Sequence, residues 1–296
     1  MELHQLKYFL AVVDEGGFTS AAEACGIAQP TLSQQIGKLE LELGLPLFHR
    51  LGRRVELTEA GQSLAPLADE ILSSIREVPA IVRSASTEIG GRLCVGTVPT
   101  FAQFMLPKII KTYLIENPEV DLVIQESNRA TLVCETIRGR FDIVVLSRAI
   151  EDPHLHVEQL IREDFVLILP TDHRLADRKR IRMTDLGDER FVLLDQAAGL
   201  PNLIQEFCRE HGFDPSIACR TSQLATVQAM VSAGLGIAFV PRMAAPFGKD
   251  QYQIVKEIFG PKPSRTITLA WHRRRFQTPA AREFVRQLRT EIGRNR

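Results

Sequence analysis

No stretch of this chain stays apolar for the roughly 18 residues that a membrane helix requires, and its start, MELHQLKYFLAVVDEGG, has neither a basic n-region nor a small-residue cleavage site. A spanning segment and a secretory leader are not expected, so the chain is expected in the cytoplasm, with no membrane partner. Net charge is absent too, because 36 Lys plus Arg balance 36 Asp plus Glu. Any charged partner must therefore be recognised locally. Cysteine is scarce: Cys25, Cys94, Cys134, Cys208 and Cys219 show no C-x-x-C spacing, as reduced intracellular thiols would. His154 and His156 lack a further clustered ligand, so no metal is expected. The sequence has no G-x-S-x-G, P-loop or H-E-x-x-H and no suggestive Ser/His/Asp order, which argues against an enzyme and a cofactor. What remains is 296 residues, 45% hydrophobic and 24% charged, enough for two or three globular domains.

The first of these is written in short helices. Leu6, Phe9, Leu10 and Val13 recur at helical spacing until Gly16-Gly17 ends the run. Thr19 or Ser20 is placed to cap a second helix, Glu23 completes a capping-box pattern, and Gly26 stops it. A third helix begins near Pro30, whose missing N–H costs little in a first turn, and its stripe Leu32, Ile36, Leu39 and Leu43 faces a small core. The opposite face carries Thr31, Ser33, Gln34, Gln35 and Lys38, hydrogen-bonding groups suited to base edges. Two short helices joined by a glycine-containing turn make a helix-turn-helix. Beyond it, strands over Leu47 to Arg50 and Val55 to Thr58 around Gly52-Arg53-Arg54 read as a wing, with arginines suited to phosphate or minor groove. Within residues 1–60, Lys7, Lys38, Arg50, Arg53 and Arg54 are outnumbered by Glu2, Asp14, Glu15, Glu23, Glu40, Glu42, Glu56 and Glu59. Apart from Lys7, positive charge is confined to the third helix and the wing. Spacing alone leaves a non-DNA-binding helical interaction module as the alternative.

From Leu6 to Gly61, the order and spacing of Ala21-Ala22, Gln29-Pro30, Ser33, Ile36, Leu39-Glu40, Leu43-Gly44, Leu47-Phe48, Arg50 and Leu57-Thr58 resemble the DNA-binding domain of LysR-type transcriptional regulators. Ala28 departs from the Ser or Thr frequent there and removes a side-chain cap, a loss of about 1 kcal/mol of helix stability. The resemblance implies double-stranded, pseudo-palindromic operator DNA as partner, a homodimer or homotetramer, and RNA polymerase as a candidate partner. Gln29, Pro30, Thr31, Ser33 and Gln34 are the expected base contacts; Lys38, Arg50, Arg53 and Arg54 are the expected phosphate or minor-groove contacts.

From Glu59 onward, Leu64, Leu67, Ile71, Ile75, Val78 and Val82 alternate threes and fours, as in a long helix that packs against its own copy. Pro66 and Pro79 predict a kink or break within it. Polar SASTEIGG then reads as a hinge. From about Arg92 strands and helices alternate, implying an α/β region with a mostly parallel sheet in which FVLILP begins a second round. DLVIQES-helix-GR-FDIVVLS is matched by SIACRTS-helix-GLG-IAFVP, so two similar lobes are expected, with polar strand-end loops facing a cleft. This resembles the family's effector-binding domain, related to periplasmic solute-binding proteins. The expected division is 1–58 winged helix-turn-helix, 59–90 linker helix and hinge, and 91–296 effector domain, with lobe I over 91–161 and 266–296 and lobe II over 162–265.

The candidate effector residues follow from that layout: Thr97, Pro99, Thr100 and Phe101 in lobe I, Gly199, Leu200 and Pro201 at the matching place in lobe II, and the strand-end groups Ser127, Asn128, Arg129, Ser147, Arg148, Ser222 and Gln223. Several relatives carry Thr at the place of Arg129, and a guanidinium there suits an organic anion, with an interlobe salt bridge as its structural alternative. Cys25, VPT-x₅-LPKII and Phe207-Cys208 also resemble the peroxide-sensing, OxyR-like branch. Its reactive cysteine, nine residues before Cys208, corresponds here to Gly199, so a thiol switch is not expected. A cytoplasmic solute-binding protein or an enzyme on α/β lobes are the competing classes, and neither explains the helix-turn-helix.

Overall fold

The structure is a computed structural model that describes residues 1–51, 54–83, 89–194, 201–245 and 252–294, leaving aside the side chains of Arg50, Leu51, Arg54, Glu77, Ala80, Arg83, Pro201 and Asn202. The chain divides into two compact units, one of Met1–Thr87 with Arg138–Arg140, the other of Glu88–Ile137 with Phe141–Arg296. No helix is long and apolar enough to cross a membrane among the described residues.

The first unit contains helices α1 (Leu3–Glu15), α2 (Phe18–Cys25) and α3 (Gln29–Leu43), strands β1 (Phe48–Leu51) and β2 (Arg54–Leu57), and helix α4 (Glu59–Arg83). Gly16 and Gly26 close α1 and α2 in the left-handed region at φ 67° and 68°, where a side chain would be strained. The residue at the start of α2 is Gly17, not Thr19 or Ser20, and the Ser20 hydroxyl donates to carbonyls of the preceding turn instead of accepting from the helix. The capping-box reading of Ser20 and Glu23 is thus corrected. Leu32, Ile36 and Leu39 join Leu6, Phe9 and Ala21 in the core, whereas Leu43 faces outward. Phe48 packs on the rings of Phe9 and Phe18 at 5.3 and 5.5 Å, which anchors the wing on the helices. Of the expected kink or break, the break does not occur: α4 is one helix through Pro66 and Pro79. Both prolines are exposed, so water can satisfy the carbonyls they leave without a donor.

The second unit carries β3 (Gly91–Thr97), α5 (Pro99–Phe104), α6 (Leu106–Glu116), β4 (Val120–Glu126), α7 (Arg129–Ile137), β5 (Ile143–Leu146), β6 (Leu155–Pro170), β7 (Arg190–Leu194), α8 (Pro201–Glu210), β8 (Ser216–Thr221), α9 (Leu224–Ser232), β9 (Ala238–Pro241), β10 (Gln253–Lys256), β11 (Ser264–His272) and α10 (Pro279–Arg294). It is two-lobed α/β. In lobe I β3 lies parallel between β4 and β5; in lobe II β7 runs parallel to β8, and Phe191 bridges to Ile237 beside β9. The strand-helix-strand repeat seen in the sequence is therefore a repeat of topology.

The sheet is mixed rather than mostly parallel, because β6 and β11 cross it antiparallel to their neighbours. β6 is a single 16-residue strand. Its first part pairs with β11, and from Phe165 onward it pairs with β9 and β10. FVLILP is thus the far end of that strand, not the beginning of a new one, since nothing between Leu155 and Pro170 encodes a turn. The chain returns through β11, and α10 closes on α6, where the Tyr113 hydroxyl donates to the Ala280 carbonyl at 2.9 Å and its ring meets Phe284 edge-on.

Candidate functional site

Each unit holds one set of candidate residues. On α3 the apolar stripe fixes the helix orientation, and helical spacing then turns Pro30, Gln34 and Lys38 to the opposite side. Gln29, Pro30, Thr31, Gln34 and Lys38 are exposed and Ser33 is half-buried. Gln35 is held within the domain, its Oε1 lying 3.2 Å from His4 Nε2 and accepting from Gln5 Nε2 at 3.3 Å. The helix starts at Gln29 without a side-chain cap at Ala28. Its far end is tied down by Glu40, whose carboxylate accepts the Leu47 N–H at 2.8 Å. Thr58 then locks wing to α4: its hydroxyl donates to the Pro46 carbonyl at 2.7 Å and accepts the Gly61 N–H at 3.0 Å. Arg50 and Arg54 belong to the wing strands, which pair Arg50 with Val55 and Leu51 with Arg54. Their side chains and the whole of Arg53 lie outside the described residues.

In the two-lobed unit the candidates diverge. Thr97 and Phe101 are fully buried, and Thr100 is 5% exposed. Thr100 is the second residue of a helix of only six, and its hydroxyl accepts a 2.7 Å hydrogen bond from Arg265 Nη1. An effector that used the Thr100 hydroxyl as an acceptor would have to displace Arg265. Asn128 caps α7, its Oδ1 accepting the Thr131 N–H at 3.0 Å. Arg129 makes no salt bridge, its alternative role, among the described residues: its Nη2 donates to the Ala149 carbonyl at 3.1 Å, and its buried Nε finds no partner among them. Ser147 is 1% exposed and its hydroxyl likewise finds none. Arg148 is exposed, with its carbonyl accepting from Thr268. Pro99 and Ser127 are half-buried, and Ser222 and Gln223 are exposed before α9. Pro201 opens α8; Gly199 and Leu200 lie outside the described residues.

The sequence reading missed Arg265 and Glu163. Arg265 is 2% and Glu163 6% exposed, directly paired across β11 and β6, with Nε donating to Glu163 Oε2 at 2.7 Å. Burial lowers the Arg265 pKa, and the Glu163 carboxylate opposes that fall. The available signal was their inward strand phase: Glu163 alternates with Phe165 and Leu167, and Arg265 with Ile267.

Other candidates lose their chemistry. All five thiols are free, and burial pushes buried Cys208 up to about 12. His156 packs against Trp271 at 4.3 Å and His154 stacks on His272 at 6.2 Å. No group of three His, Cys, Asp or Glu suited to a metal occurs among the described residues. The arginines near the C-terminus are engaged within the chain, Arg289 with Glu158, Arg286 with Glu283, and Arg273 and Arg275 with the carbonyls of Leu155 and Ile137.

Comparison with known proteins agrees with this division. The model of the bacterial regulatory helix-turn-helix protein, lysR family, matches residues 3–62, and that of the LysR substrate binding domain matches residues 86–293. The hydrogen peroxide-inducible genes activator of Pectobacterium carotovorum is 30% identical, over 92% of this chain and 90% of its own length. An uncharacterized HTH-type transcriptional regulator of Bacillus subtilis, YcgK, is 31% identical over 99% of this chain and 95% of its own length. Among solved structures, a full-length OxyR from Pseudomonas aeruginosa carrying a Cys-to-Asp substitution superposes with a TM-score of 0.75 at 26% identity, covering 99% of this chain and 97% of that one. The chain belongs to the LysR family of DNA-binding transcriptional regulators.

Proposed function

We propose that this regulator is controlled by a small organic anion bound between its lobes, and that it reads its operator through the exposed face of α3. The observation that carries the effector reading is the pair of buried, unpartnered polar atoms at the ends of lobe I strands, Arg129 Nε beyond β4 and Ser147 Oγ beyond β5. A buried donor left without an acceptor costs about 1–3 kcal/mol, and a carboxylate oxygen reaching both would remove that cost. Thr97, Pro99, Thr100, Phe101 and Ser127 frame the lobe I side; Gly199, Leu200, Pro201, Ser222 and Gln223 frame lobe II. Native mass spectrometry tests this whatever the identity of the ligand. The natively purified protein retains an organic anion, and Arg129→Ala weakens its retention at least about tenfold, as loss of a charged partner does. A neutral molecule retained equally by wild type and variant rules the anion out.

On DNA, Gln29, Pro30, Thr31, Ser33 and Gln34 meet base edges, while Lys38, Arg50, Arg53 and Arg54 meet phosphate or the minor groove. Gln34→Ala should lose about 1–3 kcal/mol at one base pair and relax the selected sequence, whereas Lys38→Ala should weaken all sites alike and flatten the salt dependence. Selection from random duplexes together with a salt titration separates the two. Unchanged behaviour in both variants removes α3 from the interface.

The division proposed is a DNA-binding domain over 1–58, a linker over 59–90 and an effector domain over 91–296, working in the cytoplasm as a homodimer or homotetramer, with RNA polymerase as a further partner. A peroxide response is not carried over from the named relatives. Gly199 offers no thiol, and with Cys208 pushed up to about 12 its reactive thiolate is a minute fraction at neutral pH.

A further inference from the structure

We propose that Glu163 and Arg265 form a clasp that couples the two lobes, with the Thr100 hydroxyl as its lobe I contact and the Met243 amide as its lobe II contact. The pair occupies the passage between them. Residue 163 on β6 is opposite residue 265 on β11, and two residues further along β6 Phe165 pairs instead with Pro241 of β9. The Phe165 N–H donates to the Pro263 carbonyl at 2.8 Å, so β11 leaves β6 where β9 joins it.

From that point hydrogen bonds run in both directions. Arg265 Nη1 donates to Thr100 Oγ1 at 2.7 Å in the first turn of α5, and Glu163 Oε1 accepts the Met243 N–H at 2.7 Å from the turn after β9. The ion pair therefore bonds one group from each lobe while remaining almost wholly buried. Burying two charges is expensive, and well-packed apolar side chains in their place are often as stable or more so. Stability alone does not account for the pair. Nor is it fully satisfied: among the described residues Arg265 Nη2 finds only the thioether of Met243, a weak acceptor at 3.6 Å. A guanidinium with one strong contact to each of Glu163 and Thr100, and a weak one to Met243, can exchange partners without becoming unpaired. An effector that takes the Thr100 hydroxyl frees Nη1, and the rearranged guanidinium shifts Glu163 and with it the Met243 turn. This last step rests on the effector reading above; the coupling does not.

Residue-resolved hydrogen exchange on the full chain without effector tests the coupling, because the Met243 amide reports directly on the Glu163 carboxylate. Thr100→Val keeps the shape and removes the acceptor. It should make the Met243 amide exchange roughly tenfold faster, the equivalent of one charged hydrogen bond, while amides of β5 keep their wild-type rates. Thr100→Ser, which keeps a hydroxyl, should restore slow exchange. An unchanged Met243 amide in Thr100→Val overturns the clasp, as does an equal loss of protection throughout both lobes, which would mark the pair as ordinary core. Since no effector is present, this result stands apart from whether an anion binds.

Discussion

Replacing Leu67 and Ile71 by Glu together should convert the protein to a monomer. Leu67 is 56% exposed and Ile71 38%, and Ile75, Val78 and Val82 continue the same apolar line outward along α4. The other side of this helix is already occupied: Ala68 is fully buried, and Leu64, Ala65 and Leu72 pack against the core of the DNA-binding unit. Leu64 therefore belongs to the helix's own domain and not to the outer stripe in which its spacing had placed it. A second copy of α4 is the proposed cover for that stripe, because apolar residues repeating in threes and fours interdigitate with a like helix. Each buried aliphatic side chain contributes about 1.5–3 kcal/mol, and two carboxylates on each of two facing helices add repulsion and desolvation. Dimer affinity should fall about a thousandfold or more. Operator affinity should fall with it, since two half-sites are read together. Sedimentation that finds the double variant dimeric with wild-type operator binding places the interface elsewhere.

Much of this architecture was legible because its signals were local. Glycines after α1 and α2, Pro30 in the first turn of α3 and the 4-3-4 stripe from Leu32 each determine structure within a few residues. The readings that failed needed information from farther away. Ser20 fits a capping rule, but Gly17 entered the turn first, and only the chain path decides between them. FVLILP reads as the opening strand of a second round, but it is the far end of β6. In the fold Glu163 is charged and inward, held by Arg265 about a hundred residues later. Strand phase marks each of the two as inward-facing, but no local pattern shows that they meet.

The same distinction governs the effector site. Strand ends could be placed from the repeat, but whether Arg129 pointed at a ligand depended on the Ala149 carbonyl, and whether Thr100 was free depended on Arg265. The sequence places the loops at strand ends, but it does not show which polar atoms within them already have partners. Availability is a property of packing: Ser147 and the Nε of Arg129 acquire interest only because their surroundings bury them without a partner.

Gly61→Ala should abolish operator binding, although the same change within a helix ordinarily stabilises by about 0.5–1 kcal/mol. A Cβ at Gly61 would stand 2.2 Å from the Leu47 carbonyl oxygen and 2.7 Å from a methyl of Leu57. That oxygen is not free to withdraw. It accepts the Thr58 N–H at 3.0 Å, in the junction where Thr58 also bonds Pro46 and Gly61 and so ties the wing to α4. Relief of the clash must open this junction or displace the wing strands, costs that for overpacking are about 1–3 kcal/mol and occasionally more. Gly37 provides the control, since a Cβ there meets nothing within 4 Å. Gly37→Ala should stabilise α3 by the ordinary helix increment, and hydrogen exchange should show its unit at least as protected as wild type. In Gly61→Ala protection should collapse through the residues of the first unit while the core strands β3 and β5 of the second keep theirs. Wild-type protection and operator affinity in Gly61→Ala would mean that the close approach of α4 to Leu47 does not hold the DNA-reading domain together.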